Sequence, residues 1–512
     1  MSDREWSSMN EQEFETMLAS SVSELPPEEI VAEVTPWKKA MRRILAGMAL
    51  CTVTLNFWVW DTLLPAVGMV LLLLGFRTLR RENKWFKSCF LITLLRIARF
   101  VPTVILNTTI LQSAVLTPNV TWALSVIELL LRFAEIICLW GGLRAVQKKA
   151  GFPPKAGGAM ALLVWYGLVC VLAAVQYEGL LFGVLMIIGY IFILRSLYLL
   201  SKELDEAGYS VQTAFLKIPD RGIVLALVLM LLLGCTFGYL FGSSYPMEWS
   251  SLDRSEHGKV EEIKSSLLAL GFPDYVLNDL APEDIAACDG ALQVVVDVTD
   301  EPVNDGRRVS REGKNGEQTY VWFNTVYDVK ELRLTGVAVQ LPGERETWMI
   351  FHHFLWTVDP GFYGTESIQL WPAYRNVAEG WASAGEVTGR ILCDRDGETL
   401  FAPYYFLGEQ AFISQSAFWG AQENTDVFAA FSMPAGGERH RGYLAYPAAE
   451  AQDGYIITSW INYTHQKGWL QYPVVTAMET RMANNWNDAG IFRTIQNAFE
   501  FYATDEGVDI IG

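Results

Sequence analysis

The chain lacks the short motifs from which catalysis or metal binding is usually inferred. It has no His-Glu-x-x-His helix, no Cys-x-x-Cys pair and no Gly-x-Ser-x-Gly turn. The sequence therefore does not predict a common type of zinc site or a serine hydrolase. Only five histidines are present. His352 and His353 are adjacent in a predicted strand and point to opposite faces, so they cannot easily share one ion. We predict no metal and no cofactor.

Cysteine is also scarce, with seven residues in the chain. Five of them fall within apolar segments, where cysteine packs as a small apolar side chain. Cys288 and Cys393 lie beyond those segments and could form one disulfide in an oxidising compartment. Two cysteines that are distant in sequence do not establish such a pairing. The sequence is therefore compatible with a disulfide and with two free thiols.

Charge is unevenly distributed along the chain. Residues 1–36 carry nine acidic residues and one basic residue, a net charge of −8. Residues 37–245 carry twenty basic and nine acidic residues, a net charge of +11. Residues 246–512 carry eighteen basic and thirty-nine acidic residues, a net charge of −21. Because binding to a nucleic acid requires neutralisation of phosphates, the acidic last region excludes a nucleic-acid partner.

The middle region contains the long apolar segments typical of membrane-spanning helices. Residues 1–36 lack the basic start and apolar core of a signal peptide, so we expect the first apolar segment to be the first membrane helix. A helix needs about 20 apolar residues to cross the hydrocarbon layer. We predict seven spans in the lipid bilayer, at 44–60, 62–79, 92–115, 120–143, 159–176, 179–199 and 222–243.

Lysine and arginine predict the orientation, because they accumulate in cytoplasmic loops. Basic residues occur before the first predicted span, after the second, after the fourth and between the sixth and seventh. The alternate loops are almost free of them. This alternation predicts a multi-pass protein of the plasma membrane with a cytoplasmic N-terminus and an extracytoplasmic C-terminal domain. Residues 83–100 could instead form an amphipathic helix at the membrane surface, which would disturb the alternation.

Charged residues within the third and fourth predicted spans form a candidate functional cluster. Arg96 and Arg99 lie in the third span, while Glu128, Arg132 and Glu135 follow one face of the fourth. We predict that they meet in a charged seam between the two helices. Intramembrane charges often mark an ion or proton path, but a self-neutralising packing contact between helices is the alternative that we favour.

Residues 246–512 predict a second, β-rich region. A helical connector at 246–290 contains Gly271 as a helix end and Pro273 and Pro282 as starts of short helices. Alternating apolar residues from 291 onward predict an antiparallel sandwich or jelly-roll-like domain, in which Asp396-Gly397 forms a tight hairpin. The predicted strands are 291–299, 319–329, 331–341, 346–358, 366–372, 386–394, 398–406, 426–432, 440–446, 455–465 and 469–475, followed by helices at 476–485 and 489–502.

Strand parity selects a candidate ligand-binding residue in this domain. In the strand at 455–465, one face is apolar and the other is partly polar, and Trp460 lies on the polar face. An aromatic ring in that position could stack against a sugar, although a tryptophan covered by a loop would give the same pattern. The candidate ligand-binding residues are Trp460, Asn462, Tyr443, His440 and His465.

Three functions remain compatible with these patterns. The first is a membrane-anchored sensor or interaction protein that binds a carbohydrate or another envelope or extracellular ligand. The second is a transporter or channel that uses the intramembrane charges. The third is an extracytoplasmic hydrolase with an unfamiliar site, although the sequence favours a protein that is not an enzyme. The acidic residues 1–36 are either a solvated tail or a docking segment for a cytoplasmic protein partner.

Overall fold

The computed structural model describes most of the chain beyond the acidic N-terminal region. The described residues are 36–52, 59–177, 179–209, 211, 218–252, 258–303, 307–315, 318–326, 331–362, 364–375, 380–416, 420–452, 456–483, 490–504 and 507–510. The predicted tail at 1–36 therefore lies outside them except for Pro36. The chain divides into two compact units, one of residues 1–106 and 113–235, and one of residues 107–112 and 236–512.

The first unit is helical. Its helices are α1 (Pro36–Thr52), α2 (Trp60–Leu79), α3 (Lys84–Leu106), α5 (Pro118–Lys149), α6 (Gly157–Ala174) and α7 (Leu180–Glu206). A short helix α4 (Leu111–Val115) spans the division between the units, and α8 (Asp220–Gly242) begins in the first unit and ends in the second.

Five helices in the described part of the chain are long and apolar enough to cross a membrane. They are Trp60–Leu79, Lys84–Leu106, Gly157–Ala174, Leu181–Glu206 and Asp220–Gly242, and they overlap five of the seven predicted spans. The predicted span at 44–60 overlaps α1, which has 17 residues, and continues into residues that are not described. The predicted span at 120–143 lies in α5, whose 32 residues include two glutamates and an arginine midway. Five apolar crossings are therefore supported by length and composition, rather than seven.

Glycine allows α1 and α2 to pack at very short range. A Cβ atom on Gly47 would lie 2.7 Å from the carbonyl oxygen of Gly68. A Cβ atom on Gly68 would lie 2.6 Å from the Cys51 sulfur, and one on Gly75 would lie 2.9 Å from the carbonyl oxygen of Ala40. Small residues at such contacts let two helix backbones approach, which is the usual basis of helix association in membranes.

The second unit contains two large antiparallel sheets and a separate hairpin. The eight-stranded sheet follows the order β1-β10-β9-β13-β6-β5-β2, with β8 paired to β13. Its strands are β1 (Ser250–Ser251), β2 (Gln293–Glu301), β5 (Leu332–Leu341), β6 (Thr347–Trp356), β8 (Trp381–Ser383), β9 (Thr388–Arg395), β10 (Glu398–Ala402) and β13 (Glu438–Glu450). The hairpin pairs β3 (Arg307–Asn315) with β4 (Gln318–Val326).

The other large sheet has six strands in the order β11-β12-β7-β14-β15-β16. These strands are β7 (Thr365–Trp371), β11 (Phe406–Ser416), β12 (Gly420–Ser432), β14 (Ile457–Gln466), β15 (Phe492–Thr504) and β16 (Gly507–Ile510). Apolar side chains of both large sheets meet in one core that includes Trp348, Phe354, Phe431, Tyr463 and Phe499. The second unit is therefore an antiparallel β-sandwich.

Each outer face of the sandwich is partly covered. Helices α9 (Lys259–Ala269), α10 (Asp274–Leu277) and α11 (Pro282–Ala286) form a second apolar cluster on the eight-stranded sheet, which includes Leu267, Phe272 and Phe351. Helix α12 (Ala477–Met482) and residues 107–112 cover part of the six-stranded sheet, where Met478 and Ile110 cluster with Phe428. The connector predicted at 246–290 is therefore a packed layer of the domain.

Buried acids fasten this helical layer to the eight-stranded sheet. Asp279 accepts a hydrogen bond from Arg441 at 2.8 Å and lies 2.9 Å from the His353 ring nitrogen. Asp284 accepts hydrogen bonds from Tyr443 and Thr388 of the sheet. Burial alone would raise the pKa of Asp279, but the contacts with His353 and Arg441 lower it below its ordinary value. These contacts therefore stabilise the ionised form of the Asp279 carboxylate in the folded domain.

Several local predictions are confirmed. Asp396 and Gly397 form the two-residue turn between β9 and β10, both with positive φ, as the hairpin motif predicts. Gly271 ends its helix with a φ of 94°, and Pro282 begins α11. Strand β6, apolar on both faces, lies in the interior of its sheet between β13 and β5.

Two element predictions and one cysteine pairing are corrected. Residues 489–502 were expected to be helical, but 492–504 form β15 because ten residues of β14 pair with it. Residues 469–475 form no strand, since backbone groups of Val474 bond to Asn107 and Gln112 instead. Cys288 and Cys393 are both buried free thiols, so they do not form the disulfide that the sequence left open.

Candidate functional site

The outer face of the six-stranded sheet places two tryptophans side by side. Trp460 of β14 is directly opposite Trp371 of β7 in the strand register. The centroids of their rings are 6.4 Å apart and the ring planes are inclined at 41°. Both side chains are partly exposed. We refer to Trp371 and Trp460 as the tryptophan platform.

Carboxylates fix the orientation of both platform rings. The indole N–H of Trp460 donates to Glu500 at 3.1 Å, and that of Trp371 donates to Asp426 at 3.2 Å. Arg375 pairs with Asp426 at 2.7 Å and places its guanidinium 4.2 Å from the centroid of the Trp371 ring. Such a cation–π contact covers one ring face and adds rigidity. The orientation of both rings is thus fixed by the protein itself.

A buried polar layer supports the platform from one side. Gln369 donates to Asp426, and the Arg481 Nε atom of α12 donates to Gln369 at 2.6 Å. Asn462 also donates to Gln369, at 3.3 Å. Burial lowers the pKa of Arg481 to about 10. Fully connected polar networks of this kind fix side-chain positions, because each member would be costly to leave without a partner.

The five predicted ligand-binding residues do not form one site. Trp460 and Asn462 share the outer face of the six-stranded sheet, with Asn462 buried beneath the platform level. His465 lies in the same strand with its ring paired to Glu366 at 2.7 Å, and both side chains are buried. Tyr443 and His440 belong to β13 in the other sheet and are buried as well. Of the five, only Trp460 is partly exposed, so the expected cluster of histidine and tyrosine is not brought together.

Sequence reasoning missed the residues around Trp460, namely Trp371, Arg375, Asp426, Glu500, Gln369 and Arg481. Trp371 lies at the end of a predicted strand, but its position beside Trp460 depends on the β7–β14 register, which parity within one strand cannot give. Asp426 comes from β12, which is paired to β7 from the other side. The signal that could have found the site is a tryptophan on the polar face of each of two strands, provided that the two strands are recognised as neighbours.

The second candidate site is the charged seam of the helical unit, formed by Arg96, Arg99, Glu128, Arg132 and Glu135. Arg96 has no exposed side-chain area and contacts both carboxylates, Glu135 at 2.6 Å and Glu128 at 2.9 Å. Arg99 pairs with Glu128 at 2.8 Å. The Arg132 Nε atom lies 3.7 Å from Glu128. Helices α3 and α5 are therefore joined by a continuous set of ion pairs.

Neutral groups complete the seam at both ends. Thr93 donates to the second oxygen of Glu135 at 2.9 Å. Arg132 donates to the backbone carbonyl of Cys51 in α1 at 3.2 Å. Next to Cys51, the Thr52 hydroxyl is 2.7 Å from Tyr166 and accepts from Tyr190 at 3.0 Å. The polar contacts thus extend from α3 and α5 to α1, α6 and α7.

No protein-family model and no curated protein matches this chain. The candidate sites therefore stand on their geometry.

Proposed function

We propose that this protein is a multi-pass plasma-membrane protein whose β-sandwich domain, outside the cytoplasm, binds a carbohydrate of the cell envelope or surroundings. Five apolar helices support a location in a membrane, and the alternation of basic and bare loops in the sequence favours seven crossings with a cytoplasmic N-terminus. The protein then acts as a membrane-anchored sensor or interaction protein. Residues 1–36 are the segment available to a cytoplasmic protein partner.

The observation that carries this proposal is the tryptophan platform. Sugar rings expose apolar C–H faces surrounded by hydroxyl groups. A ligand of this kind uses an aromatic surface for stacking and nearby charged or amide groups for hydrogen bonds. Trp371 and Trp460 provide the surface, while Glu500 and Arg375 provide the polar groups at its edge and the buried Asp426 holds Trp371 and Arg375 in place. Rings that are already fixed lose little entropy when the ligand binds.

A glycan array probed with the full-length chain in lipid nanodiscs tests this proposal. We expect binding to at least one polysaccharide or wall fragment. Trp460→Ala or Trp371→Ala should weaken it by about tenfold or more, since an aromatic stacking contact contributes on the order of 1 kcal/mol beyond the area that it buries.

Trp469→Ala is the matched control, because Trp469 is 61% exposed in the same domain. It should bind like the unmodified protein. The proposal fails if no glycan binds, or if the platform variants and the control bind equally.

For the charged seam, the ion pairs favour a packing role over transport. Both carboxylates lie within ion-pair distance of arginine, and Glu135 also accepts from Thr93. A proton or ion path requires a charge that can be released. A clamp requires charges that satisfy one another, as these do. We therefore propose that the seam holds α3 against α5.

A further inference from the structure

A polar cavity of about 650 Å³ lies within the second unit, away from the tryptophan platform. It opens between helices α9 and α10 and the strands β1, β9 and β10 at the edge of the eight-stranded sheet. Its size falls within the range of ordinary small-molecule sites, which is roughly 300–1,000 Å³. Arg390 and Phe401 come from the sheet, and Glu261, Lys264, Asp274 and Asn278 come from the helical layer.

Arg390 is built into the wall of this cavity. The residue is 9% exposed. Its Nε and one terminal nitrogen donate to the backbone carbonyls of Asp279 and Leu280 at 2.9 and 2.8 Å. Its guanidinium lies 5.2 Å from the centroid of the Phe401 ring. These contacts fix the direction of the side chain without neutralising its charge.

The charge of Arg390 differs in this respect from that of its buried neighbour Arg441. Arg441 pairs with Asp279 and with Asp394. Among the described residues, no carboxylate lies within ion-pair distance of Arg390, and its second terminal nitrogen has no protein partner. The charge of Arg390 is therefore offset by backbone carbonyl dipoles alone, and an anion in the cavity would complete the site. A carboxylate is a suitable partner, because the remaining terminal nitrogen can donate a charge-assisted hydrogen bond to it.

Opposite charge lies elsewhere on the same cavity. Glu261 and Asp274 line it from α9 and α10, and Asn278 donates to Asp274 at 3.0 Å. The side chains of Leu268 and Leu277 add apolar wall. A ligand with one carboxylate, one ammonium and a modest apolar part satisfies Arg390, Glu261 and Asp274, while Lys264, the second cation of the lining, already has a partner within the protein.

We propose that this cavity binds a free amino acid or a short peptide. Its carboxylate pairs with Arg390 and its ammonium lies between Glu261 and Asp274. This site is separate from the platform and extends the proposed function to a second ligand class. The platform is tested with glycans and this cavity with amino acids. Failure of either proposal therefore leaves the other one standing.

Isothermal titration of the full-length chain in nanodiscs with each of the standard L-amino acids, and with dialanine, tests the site. We expect at least one of these probes to bind. Arg390→Gln should weaken binding about thirtyfold or more, since truncating one partner of a buried charge pair has an effect of that order. Arg345→Gln is the matched control, because Arg345 is exposed in the same domain, and it should bind normally.

A second variant protects the test against misfolding of Arg390→Gln. Glu261 and Asp274 are exposed, so Glu261→Gln with Asp274→Asn should fold and still weaken amino-acid binding. The proposal is overturned if none of the probes binds, or if both variants bind like the control. It is also overturned if acetate binds as tightly as the best amino acid, because that result leaves no role for the ammonium.

Discussion

Glu135 accepts hydrogen bonds from two side chains of the neighbouring helix, Arg96 at 2.6 Å and Thr93 at 2.9 Å. Both the glutamate and the arginine are buried, so neither charge can be satisfied by water. Removing one partner of a buried pair leaves the other charge uncompensated, which is far more costly than losing the contact itself. The stability of the α3–α5 contact should therefore depend on the pair and not on either residue alone.

Charge exchange tests this at the residue scale. Glu135→Arg should lower the stability of the helical unit by roughly 3–5 kcal/mol, since it places a second positive charge against the buried guanidinium of Arg96. Adding Arg96→Glu should recover part of that loss, which thermal unfolding in detergent would measure. Lys148→Glu, at an exposed position of the same helix α5, should change little. Absence of any recovery in the double variant would contradict the pairing.

His352 makes the sandwich sensitive to acid. Its ring is buried and lies 2.7 Å from the Ser459 hydroxyl, and burial lowers its pKa from 6.5 to about 3. Below pH 6.5 the unfolded chain takes up a proton that the folded chain does not, so stability falls as the pH drops from about 6.5 towards 3. The whole effect is on the order of 5 kcal/mol.

His352→Gln should reduce the slope of that pH dependence, because glutamine does not titrate, whereas the buried His440, whose pKa burial also lowers, is retained. The midpoint temperature of thermal unfolding is measured between pH 4 and pH 7. The slope of this midpoint against pH is compared, because the substitution also lowers the absolute stability. Lys264→Gln, at a partly exposed position of the same domain, should keep the full slope. An unchanged slope in His352→Gln would refute the assignment.

At the scale of elements, the contact between α1 and α2 depends on the absence of side chains. Gly68→Ala would place a Cβ atom 2.8 Å from the carbonyl oxygen of Gly47, where the helix backbones would have to separate. We expect a loss of about 1–3 kcal/mol, as for other overpacked contacts. Gly167→Ala in α6 meets nothing within 4 Å and should be neutral or slightly stabilising. Equal melting temperatures of the two variants would contradict this explanation.

The elements that sequence reasoning found are those with a strong local pattern. Apolar length located five helices, and alternation located most strands of the sandwich. The helix prediction for this segment was wrong because Ile495 and Phe499 are four residues apart, a spacing that fits one face of a helix as well as one face of a strand. Pairing with β14 decided between them, and no local window contains that partner.

The candidate sites divide in the same way. The charged seam lies on helices whose periodicity fixes which residues share a face, so Arg96 and Glu135 could be paired from spacing alone. Trp460 was found through strand parity, while Trp371 and Asp426 depended on strand order. No sequence pattern points to Arg390, because its hydrogen-bond partners are backbone carbonyl groups of the helical layer, which do not depend on residue type.

For the whole molecule, the relative location of the two chain ends depends on whether the number of membrane crossings is odd or even. Five and seven are both odd, so either count places the two ends of the chain on opposite sides of the membrane. A membrane-impermeant maleimide applied to intact cells tests this with one cysteine introduced at Lys148 or at Val298, which is 46% exposed. Val298→Cys should be labelled at once, and Lys148→Cys only after permeabilisation. The reverse pattern would invert the proposed orientation.

The strand order of the sandwich also determines when the domain can be completed. In the six-stranded sheet, β14 lies between β7 and β15, and β15 begins only at Phe492. Until that segment has been synthesised, one edge of β14 has no partner, and an unpaired strand edge favours aggregation. Almost the entire second unit must therefore stay protected from aggregation until its last strands have been synthesised. Premature termination just before residue 492 would yield a membrane-anchored protein with a permanently open sheet.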